Sequence, residues 1–263
     1  MLTATLLFAV MNVGVKMLAG IPAHEIVFFR ALISLVAAYT LLRRAGISPL
    51  GKRRVLLLAR GLAGTVALIA YFYSLHLMPL ATAVTIQHMS PLFTILIAGP
   101  LLGERATRTQ WGFFLLAFVG VLLIKGLDAR VTPGELSLGL VAALFAGLAY
   151  NLVRMLRDSD HALVVVFYFP LVTVPLVGVY TLTHWVWPGL LESALLLAVG
   201  LSTTAAQVFM TRALQRERAS KVSIIYYLGI VMAMILGWLL FDEGITLLAL
   251  AGAGLIIFSV IRM

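Results

Sequence analysis

The sequence contains no cysteine and few charged residues. The first absence excludes cysteine chemistry, and the second limits the class of protein to which the chain can belong. Without cysteine, the 263-residue chain forms no disulfide and offers no thiol nucleophile or thiolate metal ligand. Only 11% of the residues are charged, against about 25% in soluble domains. Hydrophobic residues make up 62% of the chain. We therefore predict an integral membrane protein with the lipid bilayer as its surroundings.

Acidic residues are also missing from the middle of the apolar segments. A helix needs about 20 apolar residues to cross a membrane. Ten such segments lie near 2–19, 24–42, 55–76, 80–101, 109–127, 135–155, 161–182, 190–211, 219–241 and 245–262. With no central Asp or Glu, no carboxylate proton relay or sodium site is visible. A nucleotide-binding glycine loop and a His/Glu metal spacing are also lacking, so we expect no ATP motor, metal or other cofactor.

Basic residues outnumber acidic ones by 19 to 10, which in a soluble protein could indicate nucleic-acid binding. Here they follow the membrane topology. If the N-terminus is cytoplasmic, only Lys125 and Arg130 fall in outer loops. The cytoplasmic loops and ends then hold fourteen: Arg43, Arg44, Lys52, Arg53, Arg54, Arg105, Arg108, Arg154, Arg157, Arg212, Arg216, Arg218, Lys221 and Arg262. This bias predicts cytoplasmic termini in a bacterial inner membrane, and no nucleic-acid partner.

The second half of the chain repeats the first at an offset of 138 residues. Identical pairs include Leu2 and Leu140, Met17 and Met155, Thr65 and Thr203, and Gly99 and Gly237. Five helices per half is an odd number, so the second half enters the membrane from the opposite side. We predict an all-α protein with ten transmembrane helices as two inverted five-helix repeats, 1–130 and 131–263. This is the usual plan of a secondary transporter.

One segment carries a family resemblance. Residues 79–126 read PLATAVTIQHMSPLFTILIAGPLLGERATRTQWGFFLLAFVGVLLIKG, with a small-residue helix start, a central Ser90-Pro91 and a helix closing in LLGER. This pattern resembles the EamA module of the drug/metabolite transporter superfamily, and 218–258 resembles it again. The second copy has Leu228-Gly229 in place of Ser90-Pro91. The resemblance implies a transporter, whose substrate could be an amino acid, nucleotide derivative, sugar, vitamin or drug.

Two glutamates occupy matching helix ends in the two copies. Glu104 and Glu243 are expected at opposite membrane faces. One interpretation is that each caps the N-terminus of the following helix, where negative charge is favoured. The other is a gating salt bridge, for instance between Glu104 and Arg105 or Arg108.

The strongest site signal lies near the middle of the fourth segment. Gln87 and His88 lie there beside Pro91, which frees the carbonyl of Gln87. His88 and Tyr226 are mates under the 138-residue offset, and Tyr227 follows. In inverted repeats, His88 and Tyr226 would lie at the same depth near the midplane and face each other across the axis between the halves. We therefore predict a central cavity there. The alternative is that these side chains only form local hydrogen bonds in the core.

Further polar residues within the segments are candidates for substrate binding. Asn12 and Lys16 lie one turn apart in the first segment, although Asn12 could bond a neighbouring helix and Lys16 could extend to the interface. Three more candidates, from the sixth and eighth segments, are Tyr150, Asn151 and Gln207.

Arg30 lies deep in the second segment, where an ionisable group costs roughly 2.5–3.5 kcal/mol on insertion scales. Either it pairs with Glu25 and fixes the packing, or it binds a carboxylate or phosphate of the substrate. Arg60, near the cytoplasmic end of the third segment, is expected to extend to the interface; the alternative is that it takes part in the site.

These observations favour a secondary transporter that moves a small amino acid-like, zwitterionic or anionic solute by alternating access. A multidrug or lipid exporter of the same superfamily is an alternative. An integral membrane enzyme acting on lipid head groups is another, but no nucleophile, base and orienting group recur at a suitable spacing. The oligomeric state, monomer or homodimer, is left open.

Overall fold

The computed structural model describes residues 1–103, 107–126, 131–216 and 228–262, and every regular element in these ranges is a helix. We number them in chain order. They are α1 (Leu2–Met17), α2 (Ala23–Arg44), α3 (Arg54–Leu77), α4 (Leu80–Gln87), α5 (Ser90–Leu102), α6 (Arg108–Gly126), α7 (Pro133–Met155), α8 (Ala162–Thr183), α9 (Leu190–Arg216), α10 (Leu228–Phe241) and α11 (Leu247–Arg262).

Within the described ranges, six stretches are long and apolar enough to cross a membrane: α2, α3, α4 together with α5, α7, α8 and α9. Four shorter apolar stretches lie in α1, α6, α10 and α11. Large apolar side chains face outward from the bundle. Val179 is 74% exposed and Leu190 is 91% exposed, as expected for surfaces that contact lipid. The all-helical membrane architecture agrees with the prediction from the sequence.

Pro91 divides the fourth apolar stretch into α4 and α5. Proline has no N–H to donate to the carbonyl of Gln87, so the α-helical ladder is interrupted there. The chain turns at His88 and Met89, and the N–H of His88 donates to the carbonyls of Val84 and Thr85 at 3.0 and 3.1 Å. The residues at the break, His88 and Met89, are buried in the middle of the bundle.

The helix contacts pair the two halves in a symmetric way. Helix α3 packs on α7, and its counterpart under the 138-residue offset, α9, packs on α1, the counterpart of α7. Likewise α3 packs on α8 while α9 packs on α2. Counterparts also pack directly on each other, as α2 does on α8 and α6 on α11, and α4 packs on α10, the counterpart of α5. Most of the interior is therefore formed between the halves.

Gly147 allows α7 to lie against the beginning of α5. A Cβ atom at this position would lie 2.9 Å from the carbonyl oxygen of Ser90 and 2.8 Å from Cβ of Phe93. With this close approach, the amide Nδ2 of Asn151 donates to the carbonyl of Thr94 at 2.8 Å. This contact holds α7 beside the broken fourth stretch and thereby positions the cavity walls.

Candidate functional site

Two of the cavities lined by the described residues are small and lie between the helices. We call the larger, about 80 Å³, the arginine cavity and the smaller, about 60 Å³, the histidine cavity. The arginine cavity is lined by Met11, Arg30, Arg60, Gly64, Ala67, Leu68, Tyr71, Phe72, Gln87, Ala146, Ala149, Tyr150, Phe169 and Gln207. The histidine cavity is lined by Thr5, Phe8, Ala9, Met11, Asn12, Tyr71, Leu80, Val84, Gln87, His88, Gly229, Ala233 and Leu236. Each cavity has room for a few water molecules, and its volume is smaller than that needed by an organic metabolite.

Both cavities combine residues from the two halves and share a wall. Met11, Tyr71 and Gln87 line both of them. The wall is tied by a hydrogen bond in which the hydroxyl of Tyr71 donates to Oδ1 of Asn12 at 2.9 Å, joining α3 to α1. Tyr71 therefore forms part of the boundary between the two cavities.

Two arginines contact the same aromatic ring in the arginine cavity. Arg30 and Arg60 are each 3% exposed. Cζ of Arg30 lies 5.4 Å from the ring centroid of Phe169 and 5.5 Å from that of Phe72. Cζ of Arg60 lies 4.6 Å from the Phe169 centroid. Cation–π contacts of this kind offset part of the free energy lost when a guanidinium leaves water, about 2 kcal/mol when desolvated.

Gly64 provides the space that Arg60 occupies. A Cβ atom at this position would lie 2.5 Å from Nη1 of Arg60 and 3.0 Å from the ring of Phe169. The expectation that Arg60 extends to the membrane interface is therefore wrong. Its side chain is buried in the cavity because a residue one turn later on α3 has no side chain of its own.

Glu25 does not neutralise Arg30. Its Oε2 accepts a hydrogen bond from the N–H of Val186 at 3.0 Å, and its buried Oε1 has no hydrogen-bond partner among the described residues. The ion pairs found in the described part of the chain are Lys16 with Glu243 and Arg157 with Asp158. No described Asp or Glu lines either cavity. The arginine cavity thus carries two positive charges without a carboxylate from the described ranges.

The arginine cavity also holds polar atoms with unused hydrogen-bonding capacity. Within the described ranges, Nε of Arg30, Nε and Nη1 of Arg60, and the amide oxygens of Gln87 and Gln207 are buried without a partner. Unsatisfied buried groups are rare because each loses its hydration without compensation. Both donors and acceptors therefore remain for water or a ligand.

His88 lies in the break between α4 and α5 and lines the histidine cavity. Its Nδ1 donates to the carbonyl of Val84 at 2.7 Å. Its Nε2 lies against α10, where a Cβ atom at Gly229 would lie only 2.8 Å away. The turn after α4 and the glycine on α10 together position the imidazole between the halves.

Lys16 is bound outside both cavities. Its ammonium lies 2.5 Å from Oε1 of Glu243 and donates to the carbonyl of Met78 at 2.9 Å. Both carboxylate oxygens of Glu243 accept the N–H of Leu80, at 3.0 and 2.8 Å, so this glutamate caps α4 rather than the helix that follows it. We call this arrangement of Lys16, Glu243 and Leu80 the latch. The matching Glu104 lies outside the described residues.

Asp160 joins connecting segments at the other end of α3. Oδ1 accepts the N–H of Lys52 at 2.6 Å, and Oδ2 accepts the N–H of Arg53 at 3.2 Å and the hydroxyl of Ser159 at 2.8 Å. Burial alone would raise the pKa of Asp160, but these hydrogen bonds and the charge of Lys52 outweigh it and hold the pKa below its usual range.

The remaining candidates divide between the cavity and the helix contacts. Tyr150 and Gln207 line the arginine cavity, and Asn12 lines the histidine cavity. Asn151 is fully buried and binds the backbone of α5 instead. Tyr226 and Tyr227 lie outside the described residues. The described part of the chain contains no group of three or more His, Asp or Glu side chains arranged to hold a metal ion.

Three residues that shape the arginine cavity are not among the binding residues predicted from the sequence: Arg60, Phe169 and Tyr71. The sequence does contain two signs that Arg60 is buried. Like Arg30, it lies inside an apolar segment rather than in a loop, and Gly64 one helical turn later leaves space for its side chain. Phe169 had no signal in its own segment, where apolar residues surround it on both sides.

Comparisons with known proteins agree with this architecture. The sequence profile of the EamA-like transporter family matches residues 1–126 and again 134–263. The chain is 38% identical to the pseudopaline exporter CntI of Pseudomonas aeruginosa over 99% of its own length and 93% of that protein. It is 27% identical to the S-adenosylmethionine uptake transporter of Rickettsia prowazekii, over 84% of this chain and 76% of that one.

A mammalian relative and a solved structure extend the comparison. Identity to solute carrier family 35 member G1 of Mus musculus is 29%, over 96% of this chain and 74% of that protein. One crystal structure shares the fold with a TM-score of 0.74 at 19% identity, covering 98% of this chain and 92% of that one. The characterised relatives are named as transporters, not enzymes.

Proposed function

Because the chain belongs to the EamA-like transporter family of multi-pass membrane transporters, we propose that it is a secondary transporter for a small organic metabolite with a negative charge, anionic or zwitterionic. The observation that carries the proposal is the arginine cavity, where Arg30 and Arg60 face no described carboxylate. A buried guanidinium without a counter-ion is a binding group for a carboxylate or phosphate.

The proposed architecture has ten transmembrane helices in two inverted repeats, 1–130 and 131–263. Two family matches, one in each half, support the repeat. The reciprocal contacts of α3 with α7 and of α9 with α1 are those expected from a twofold axis between the halves. The four shorter apolar helices complete the ten. The positive-inside bias supports cytoplasmic termini, and the bacterial relatives support an inner membrane location.

The proposed mechanism is alternating access, with the two halves rocking around the cavities. Arg30, Arg60 and Gln87 come from the first half, and Tyr150, Phe169 and Gln207 come from the second. Relative motion of the halves therefore changes the shape of the binding site itself. The latch joins α1 and α4 to the segment after α10, so it would hold the outer face closed in the proposed orientation.

The relatives include both an exporter and an uptake transporter. A multidrug exporter of the kind that depends on a glutamate inside the membrane fits less well. The sequence places no acid in the middle of any span. The arginine cavity instead offers positive charge.

Counterflow in proteoliposomes tests the proposal. Vesicles containing purified protein are loaded with one unlabelled metabolite, and uptake of the labelled form is followed for a panel that includes pseudopaline, S-adenosylmethionine, and anionic, neutral and cationic metabolites. We expect exchange of at least one metabolite that carries a negative charge. Arg30→Gln should slow it about tenfold or more, because a charge-assisted hydrogen bond is lost.

Arg44→Gln is the matched control, because Arg44 is an exposed arginine at the end of the same helix. Its exchange rate should equal that of the parent protein. Exchange restricted to solutes that carry no negatively charged group would contradict the proposed substrate class. Chemical conversion of the solute, detected by mass spectrometry, would instead indicate an enzyme.

A further inference from the structure

The arginine cavity contains a second cationic group, Arg60, in addition to Arg30, the binding residue predicted from the sequence. Arg30 is on α2 and Arg60 is on α3, and both contact the ring of Phe169 on α8. Their Cζ atoms cannot be more than 10 Å apart, the sum of the two distances from the shared centroid, 5.4 and 4.6 Å. Both charges therefore lie within reach of one small molecule.

The pair is positioned by its surroundings rather than by chance proximity. Phe72 and Phe169 both contact the guanidinium of Arg30, and Gly64 leaves the space that Arg60 fills against Phe169. These contacts restrict the rotamers of both arginines before any ligand arrives. A preorganised guanidinium loses less conformational entropy when it forms its hydrogen bonds.

Two like charges in one cavity repel each other, and the described residues supply no acid to offset this. The nearest described buried carboxylate on the same helix as Arg30 is that of Glu25, which accepts a hydrogen bond from Val186 and forms no ion pair. A ligand with one negative charge neutralises half of the cavity. A ligand with two negative charges neutralises both arginines and removes the repulsion between them.

We propose that Arg30 and Arg60 form a binding site for an organic dianion, and that Arg60 makes the transporter prefer it over a monoanion of the same size. The proposal rests on the proposed function and specifies the substrate class of the same site. Two carboxylates or one phosphate monoester would supply the charge. The amide oxygens of Gln87 and Gln207, which lack partners among the described residues, would accept hydrogen bonds from hydroxyl or amino groups of the ligand.

Matched pairs of small probes test the charge preference. Dissociation constants for the purified full-length protein are obtained from the rise of its thermal midpoint with ligand concentration. Succinate is compared with butyrate, glutarate with valerate, and glycerol 3-phosphate with its monoanionic methyl phosphodiester. We expect at least one dianion to bind about tenfold to a hundredfold more tightly than its partner, the range of one charge-assisted hydrogen bond. The carboxylate and phosphate arms identify which source of charge the site accepts.

Substitution of Arg60 assigns the preference to this residue. In Arg60→Gln, the dianion and monoanion should bind with equal affinity, while monoanion binding through Arg30 remains. Arg60→Lys retains the charge without the bidentate geometry, and Gly64→Ala displaces the Arg60 side chain without removing it. Either variant should give an intermediate preference and takes the place of Arg60→Gln if that protein fails to fold. Arg44→Gln should leave the preference unchanged.

Equal binding of dianions and monoanions by the parent protein would overturn the dianion site and leave the proposed transport of a negatively charged metabolite intact. A dianion preference that persists in Arg60→Gln, Arg60→Lys and Gly64→Ala would remove Arg60 from the site. Absence of binding by all six anionic probes, together with exchange in proteoliposomes of only those solutes that lack a negatively charged group, would overturn both proposals.

Discussion

The carboxylate of Glu243 caps the first residue of α4, Leu80, although the two residues lie 163 positions apart in the chain. Pro79 precedes α4, has no N–H and provides no side-chain cap. The N-terminus of α4 therefore receives its negative charge from the other half of the protein, where the helix dipole favours it. Lys16 binds the same carboxylate, so three segments meet at one ionic centre.

We predict that Glu243→Gln opens the end of the bundle that the latch closes. The substitution removes the ion pair with Lys16, a charge-assisted bond worth about 1.5–3 kcal/mol, so opening should become about tenfold more frequent or more. The chain has no cysteine, so Ala233→Cys in the histidine cavity reports opening through its rate of labelling by an impermeant maleimide. Glu135→Gln, which alters a local capping box at the start of α7, is the control. An unchanged labelling rate would show that the latch does not limit access.

The shared wall of the cavities provides a second prediction. Tyr71→Phe removes the hydrogen bond to Asn12 and should lower the free energy of unfolding by about 1 kcal/mol. The transport rate per folded molecule should also change, because the wall separates the two cavities. Tyr168→Phe is a matched control, since Tyr168 donates a hydrogen bond of 2.6 Å to the carbonyl of Leu50, away from both cavities. Equal effects of the two substitutions on the transport rate would contradict the role of the wall.

Asp160 gives a prediction about pH. Its pKa is lower in the folded protein than in the unfolded chain, so the ionised carboxylate stabilises the fold. This contribution is complete above the unfolded pKa of about 3.9 and is lost as the pH falls through the lower folded value. Asp160→Asn should therefore lower the thermal midpoint at pH 7, and the difference from the parent protein should shrink below about pH 4. Asp158→Asn is the control, because Asp158 is exposed and pairs only with exposed Arg157. A difference that stays constant with pH would exclude the carboxylate as its origin.

Orientation in the membrane is a separate prediction from the distribution of Lys and Arg. In the proposed topology, Trp187 lies in an outer loop and Ala45 in a cytoplasmic one. An impermeant thiol reagent applied to intact cells should label Trp187→Cys and leave Ala45→Cys unlabelled until the cells are opened. Both positions are exposed in the structure, so burial does not explain a difference between them. The reverse labelling pattern would invert the topology.

The broken fourth stretch shows where sequence reasoning succeeds. Pro91 predicts an interrupted helix because the missing N–H is a local, covalent property, and the break occurs at His88 and Met89. Arg30 stood out for a similar reason, since depth within an apolar segment can be counted along the chain. The residues that contact Arg30 in the folded protein cannot be read from its position in the chain. Pairing with Glu25 was a reasonable alternative by spacing, yet the carboxylate binds the backbone of Val186.

Lys16 and Asn151 show the limit of the same reasoning. Both are polar residues within apolar segments, and both were candidates for the substrate site. Lys16 instead binds Glu243, and Asn151 binds the backbone carbonyl of Thr94. A polar side chain inside a membrane protein needs a partner, but the sequence does not state whether that partner is a ligand or another helix.

The sequence by itself determined the membrane class, the all-helical architecture and the membership of a transporter family. Each depends on the length, composition and order of segments, which are properties of the chain read locally or compared along it. Only the tertiary structure decided which polar groups share a cavity. That depends on how each helix is rotated about its axis and on where glycines let helices approach. Arg60 became part of the cavity because Gly64 leaves it space and the ring of Phe169, on the distant helix α8, contacts its guanidinium.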